Sequence, residues 1–230
     1  MAYPVPWSQI PLNIGLNFVL AWATMRSGRV AAARDALRKQ SGDAKLDVIT
    51  IAELGVIQPP PPGVRVLTAI SEDLDYPMSK LPDYIVPLGP IVKPYRRLGD
   101  ADFKLAQWLS RGPTVYVNFG TQLSITASEA LELAYTLRNL LDAAETLNYG
   151  GKQKMQILWK LKTGKSRRGS EVDWTADWAA VRDVLLPEIE DDRVRVTTWI
   201  DANPNSILQS GHVVCSVHHG GANSWAEATM

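Results

Sequence analysis

The sequence predicts an α/β protein: a parallel, Rossmann-like sheet with helices on both faces. Three observations carry this. Short β-branched or aromatic runs recur from residue 114 onward: TVYVNF (114–119), QILWKL (156–161), VRVTT (194–198) and VVCSV (213–217). Helical patterns separate them, and strands that alternate with helices pair in parallel. Finally, 46% hydrophobic and 21% charged residues in a 230-residue chain supply a core of ordinary globular size.

The elements follow in order. Residues 12–40 have helical character, with a break expected at Ser27-Gly28, after which AAARDALRK (31–39) resumes with strong helix formers. Within it, IGLNFVLAWA (14–23) is too short to cross a bilayer, which takes about 20 apolar residues. A buried helix is expected there, with a membrane-surface helix as the alternative. Pro59–Pro62 reads as polyproline, VRVLTAI (64–70) as a strand, and IVPLGPIV (85–92) as a short strand and a Gly-Pro turn. KPYRRLGDAD (93–102) is turn-rich, and FKLAQWL (103–109) is a short helix after it.

Beyond the 114–119 strand, Thr126-Ala-Ser-Glu129 has the spacing of a capping box. It opens a helix whose Ala130, Leu133, Ala134, Leu137, Leu140 and Leu141 form one apolar stripe. Residues 162–177 are polar, basic and then acidic, and are expected to be an exposed loop, with the basic part a solvated surface. Residues 178–186 read as a helix. Asn203-Pro204 supplies an N-cap and a proline at the first helical position. VVCSV reads as a buried strand, and Ser224-Trp-Ala-Glu227 as the start of a helix.

Charge excludes some partners. Lys and Arg total 24 against 24 Asp and Glu, so no nucleic-acid partner and no anionic surface is indicated. The single cysteine, Cys215, cannot form an internal disulfide, which fits a reducing compartment. The expected location is cytoplasmic or membrane-peripheral, without an integral span.

The densest chemistry is HHGGANSWAEA (218–228), directly after the last strand. Ligands of open parallel sheets bind at the carboxyl ends of strands. A helix start there offers free amides and the positive end of a dipole. Gly220 and Gly221 allow close approach of a ligand. His219, Asn223 and Ser224 can donate to an anion, and Glu227 can accept from paired hydroxyls. Each feature alone has a plain structural explanation. Ser224-x-x-Glu227 is also a capping box, and glycines are common in strand-to-helix turns. Their coincidence at one strand end favours a site.

This stretch resembles the donor-binding signature of the family 1 UDP-glycosyltransferases, which have the GT-B fold. Trp199, then Asn205-Ser-Ile-Leu208, then the 213–217 strand follow in that family's order. ILWKL (157–161) and VYVNFGT (115–121) resemble its earlier donor-domain strands, and LDYPMSKLPDYIVPLGPI (74–91) the approach to its interdomain linker. The resemblance implies a partial GT-B chain. Residues 1–92 would be the end of an acceptor-binding domain, 93–111 the linker, and 112–230 a truncated nucleotide-sugar domain. It implies hexosyl transfer from a UDP-sugar to a hydroxyl of a small lipophilic acceptor, with inversion. No cofactor or metal is expected; the UDP-sugar is a co-substrate. His219, Asn223, Ser224 and the Gly221 amide would hold the diphosphate. Thr121 would face the phosphates, and Glu227 the ribose hydroxyls. Trp199 would stack on uracil, with the Ile200 backbone reading the base edge.

The chain departs from the family pattern. WIDANP stands where Trp-x-Pro-Gln is usual, and Asp201 is the candidate replacement for the Gln. Ser210 occupies a place that is often His. The three histidines are His212, His218 and His219, so the family's general base, an early His, is missing. The expectation is therefore a glycosyltransferase fragment inactive alone. The alternatives are a non-catalytic nucleotide-binding subunit completed by a partner chain, and a truncated gene product. A sheet lacking its last strands is expected to expose an apolar edge.

Overall fold

A computed structural model describes residues 6–48, 60–69, 81–92, 94–163, 172–174 and 178–229. The chain divides into two compact units, Met1–Gly89 and Pro90–Met230.

The first unit contains helices α1 (Ile10–Arg26) and α2 (Gly28–Ser41), separated at Ser27. Ser27 caps α2, its hydroxyl accepting from the Arg29 amide at 3.3 Å, and the expected break falls there. The expectation that α1 is buried does not hold. Only Ala21 of its described side chains is buried, while Leu12, Phe18, Val19 and Trp22 are each more than half exposed. A helix apolar on every face needs cover on every face, and the described part of this unit has too little apolar mass to give it. Strands β1 (Val66–Thr68) and β2 (Ile85–Pro87) pair in parallel, Val66 opposite Ile85. Part of the polyproline run, Ile70, and residues 71–80 lie outside the described residues. Among the described residues, no helix is long and apolar enough to cross a membrane.

The second unit carries the sheet. Its strands are β3 (Thr114–Asn118), β4 (Gln156–Lys160), β5 (Val194–Thr197) and β6 (Val213–Val217), in the order β5-β4-β3-β6. All three pairings are parallel. Strand periodicity sends alternate side chains to opposite faces. Val115, Val117, Ile157 and Trp159 therefore join one core with α5 (Ala127–Thr146) and α6 (Ala179–Glu190). Tyr116 and Leu158 join a second core with α3 (Leu98–Ala101), α4 (Phe103–Leu109) and α7 (Pro204–Leu208). Helices on both faces of a parallel sheet are what the sequence predicts.

The local signals act as read. Thr126 and Glu129 form a reciprocal capping box, the Thr126 amide donating to Glu129 Oε2 at 2.7 Å. Asn203 caps α7 by accepting from the Asn205 amide at 3.0 Å. The structure also differs at several places. Leu140 is exposed and Leu133 half-buried, while Ala144 completes the buried stripe of α5. Over five turns, a period of 3.6 drifts off a stripe read at threes and fours. Within the turn-rich 93–102 segment, α3 forms and buries Leu98. The polar 162–177 run is not wholly exposed: Val172 is buried and Trp174 packs on the first core, because apolar residues inside a polar run still seek cover. The rest of that run, 164–171 and 175–177, lies outside the described residues.

Strand β6 is not a buried strand either. It ends the sheet, with Val214 48% exposed and Cys215 exposed. An apolar edge is thus open among the described residues.

Candidate functional site

The chain runs β3, β4, β5 outward in one direction and then returns to place β6 on the other flank of β3. That reversal makes a topological switch point, and sheets of this kind bind their ligands at the carboxyl ends of the strands beside it, here β3 and β6. Two turns stand side by side at those ends: Asn118 to Thr121 closing β3, and His218 to Gly221 after β6.

Gly120 and Gly220 hold φ of 78° and 74°, left-handed angles that glycine adopts without strain. Gly221 is a glycine for another reason. A Cβ there would overlap His219 Nε2, and a Cβ on Gly120 would lie 3.0 Å from His219 Cε1. The His219 imidazole thus occupies a slot made by the absence of two side chains, one on each turn, and remains exposed to solvent. His218, without a role from sequence, has one here. Its Nδ1 accepts from the Gly220 amide at 3.1 Å and pins the turn.

Helix α8 (Ala222–Thr229) begins two residues before the expected start. Its Trp225 amide donates to Gly221 O at 2.9 Å, so the amides of residues 222–224 precede the first intrahelical bond. Ser224 and Glu227 consequently lie inside the helix, and the capping-box explanation of that pair no longer applies. Asn223 is exposed and Ser224 half-buried in the first turn, which carries no acidic side chain to cancel the helix dipole.

Glu227 is half-buried, and burial holds its carboxyl above the usual carboxylate range. Its charge also reaches Tyr116, whose phenol is pushed above its ordinary range first by burial and then by Glu227. Tyr116 Oη accepts from Asn118 Nδ2 at 2.8 Å, and Asn118 Oδ1 accepts from the Gly120 amide at 3.0 Å. The β3 turn is therefore tied back to a buried residue of its own strand.

The next strand end along the sheet supplies cations that sequence reasoning passed over. Lys160 Nζ donates to Gly120 O at 3.3 Å and stands 4.5 Å from the centroid of the Trp199 ring. Lys162 Nζ donates to the carbonyl of Thr121, itself an exposed residue. Burial, with Lys162 nearby, holds the Lys160 ammonium below its usual range. The available signal was the alternation in QILWKLK, which sets Leu158, Lys160 and Lys162 at one parity.

Trp199 follows β5 and is half-buried. Its indole N–H donates to Asp201 Oδ1 at 3.1 Å, and the Thr197 hydroxyl donates to its carbonyl at 2.8 Å. Asp201 thus orients the ring. Ile200 is half-buried and packs on the second core. Contacts run in sequence across three adjacent strand ends and on to the fourth: Trp199 to Lys160, Lys160 to Gly120, Gly120 to His219. The result is one surface with an aromatic ring at one end and anion-seeking groups at the other. Such a surface suits an aromatic ring joined to an anion.

No family model matches the chain. It is 35% identical over 227 residues to a protein of Sordaria araneosa named Glycosyltransferase sdnJ; the alignment covers 99% of this chain and 40% of that protein. The chain thus spans well under half the length of that relative. A solved structure titled as a UGT transferase from Siraitia grosvenorii in complex with UDP aligns at a TM-score of 0.42 and 20% identity, over 63% of this chain and 29% of that one. Along almost its whole length, the chain is similar to that one glycosyltransferase.

Proposed function

We propose that the second unit is the UDP-sugar-binding part of a hexosyltransferase. Residues 1–92 would belong to the end of an acceptor-binding domain, 93–111 to the connection, and 112–230 to the nucleotide-sugar domain. The observation that carries this reading is the His219 imidazole, seated between Gly120 and Gly221 beside the start of α8 at the switch point of the sheet. A diphosphate there would accept from His219, from the amides that open α8, and from Asn223 and Ser224. Thr121 would border the phosphates. Glu227 would accept from the ribose hydroxyls. Trp199 would carry uracil, with the Ile200 backbone at the base edge.

In the complete reaction, an acceptor hydroxyl would attack the anomeric carbon opposite the leaving phosphate. The new carbon–oxygen bond forms as the bond to UDP breaks, so configuration inverts. The role of this surface would be to hold UDP and stabilise the charge that develops on its leaving oxygen. The hydroxyl proton must pass to a base, and no histidine precedes His212 in this chain to serve as one. This favours nucleotide binding without turnover by the chain alone, with the acceptor half and the base supplied by other polypeptide. The acceptor would be a small lipophilic hydroxyl compound.

Calorimetric titration with UDP-glucose and UDP tests the reading. Binding should weaken about tenfold or more in His219→Ala, the scale of one charge-assisted hydrogen bond. The reading fails if the wild-type chain binds neither ligand, or if His219→Ala and Glu227→Ala both bind as well as wild type.

A further inference from the structure

Lys160 stands where the two halves of the surface meet. It is the last residue of β4, the strand between β3 and β5, and is only 9% exposed. A lysine so covered keeps its charge only where partners replace water. Its partners come from both neighbouring strands: the Gly120 carbonyl on one side and the face of Trp199 on the other. Asp201 holds the same ring by its edge, so an edge contact and a face contact together fix the ring plane. Gly120 in turn borders the His219 ring. Lys162, two residues further on and less covered, lies on the Thr121 carbonyl, so the β3 turn is gripped twice, by the last residue of β4 and by the segment just after it.

We propose that Lys160 is a positioning residue that locks the Trp199 ring and the Gly120 turn in one fixed relation, so that the nucleobase platform and the diphosphate turn form a single prearranged surface. This rests on the nucleotide-binding reading above. Groups already held in their bound arrangement avoid the ordering cost that binding otherwise incurs. A positioning role differs from direct phosphate contact in a measurable way. A residue that touches phosphate affects only ligands that have phosphate. A residue that sets the ring plane affects uridine as well.

The test compares UDP and uridine binding to wild type, Lys160→Met, Lys160→Arg, Trp199→Ala and the Lys160→Met/Trp199→Ala double variant. Lys160→Met should weaken both ligands by a similar factor, roughly tenfold. Lys160→Arg should stay within about threefold of wild type, because a guanidinium also stacks on an indole. The double variant should bind no worse than Trp199→Ala alone, the mark of coupled residues. Loss confined to UDP, no loss, or additive losses would each overturn the proposal. Lys160→Gln, which keeps a donor for Gly120, carries the same expectation should the Met variant fail to fold. Lys104→Met, on the exposed side of α4, should alter neither affinity.

A ligand-free measurement separates this inference from the reading it rests on. The near-ultraviolet circular dichroism contributed by Trp199, taken by difference from Trp199→Phe, should fall by at least half in the Lys160→Met background and persist in Lys160→Arg. An unchanged band overturns the positioning role whatever the ligand data show. A band that responds as expected, in a wild-type chain that binds neither ligand, keeps the positioning of Trp199 and removes the nucleotide.

Discussion

The two ends of the sheet are built from similar residue types to opposite effect. At the amino end, polar groups bond inward. Gln156, 2% exposed, points its amide nitrogen at Thr114 Oγ1 (3.1 Å), Trp108 O (3.2 Å) and Gly112 O (3.3 Å), more acceptors than it has hydrogens. The Trp108 indole N–H donates to Asp192 O at 2.7 Å. The Asp192 carboxylate takes two bonds from Arg195, at 2.7 and 2.9 Å, and one from Arg111 at 2.8 Å. At the carboxyl end, a solvent-exposed histidine and the start of α8 stand beside a β3 turn that two lysines hold by its carbonyls. A tryptophan stacks on a cation at both ends, Trp108 under Arg195 and Trp199 under Lys160. The amino-end ring is sealed at 2% exposure, and the carboxyl-end ring is only half covered. Bonding capacity used up within the fold serves stability. Capacity left over serves a ligand.

Substitutions should separate the two ends. The largest effect is expected for Gln156→Leu, which removes a buried donor shared by Thr114 Oγ1, Trp108 O and Gly112 O and should cost about 2 kcal/mol of unfolding free energy. Denaturant melts should show that loss, and the fraction that folds should bind UDP normally. Gly221→Ala should do the reverse. Its methyl displaces the His219 ring, so UDP binding should fall about tenfold, while the melting temperature moves by about 2 °C or less.

Asp192→Asn is expected to cost about 1 kcal/mol near neutral pH, since the pairs are partly solvated. Arg195 and then Arg111 hold the Asp192 carboxyl below the usual range. A depressed acid stabilises the fold above its unfolded pKa and loses that contribution as pH falls towards its folded one. The variant should therefore show a shallower acid-side loss of stability as pH falls below the ordinary aspartate range. The smallest effect has the opposite sign. Glu227 is raised by burial, so its ionisation opposes folding increasingly as pH rises through and above the carboxylate range. Glu227→Gln should melt at the same temperature or about 1–2 °C higher at pH 7, while binding UDP more weakly. A variant both less stable and normal in binding would remove Glu227 from the ligand surface.

Much of the sheet unit was legible because its signals are local. Runs of β-branched and aromatic residues marked β3 and β4, Thr126 and Glu129 the start of α5, and Asn203-Pro204 α7. What the sequence left open depends on what lies across from a residue. Hydropathy cannot say whether anything covers α1, or that β6 sits at an edge, since both are properties of neighbours. The same limit applied at the candidate site. The motif drew attention to residues 218–228, but the groups that tie them to the rest of the sheet lie up to 100 residues earlier, at Gly120 and Lys160. A lysine closing an apolar strand looks like the onset of solvent until the ring above it is seen. Asp201 looks like a substitute ligand group until the indole N–H is found on it.

The slot around His219 also has a consequence for descent. Gly120 is constrained twice, by the imidazole and by its own φ of 78°, whereas Gly221, whose backbone lies outside the left-handed region, is constrained by the imidazole alone. In a lineage where this surface fell out of use, loss of His219 would release Gly221 to drift at once, while Gly120 would persist for as long as the fold did. A relative with a side chain at 221 beside an intact histidine should be rare, and one with both changed would record when the binding surface was abandoned.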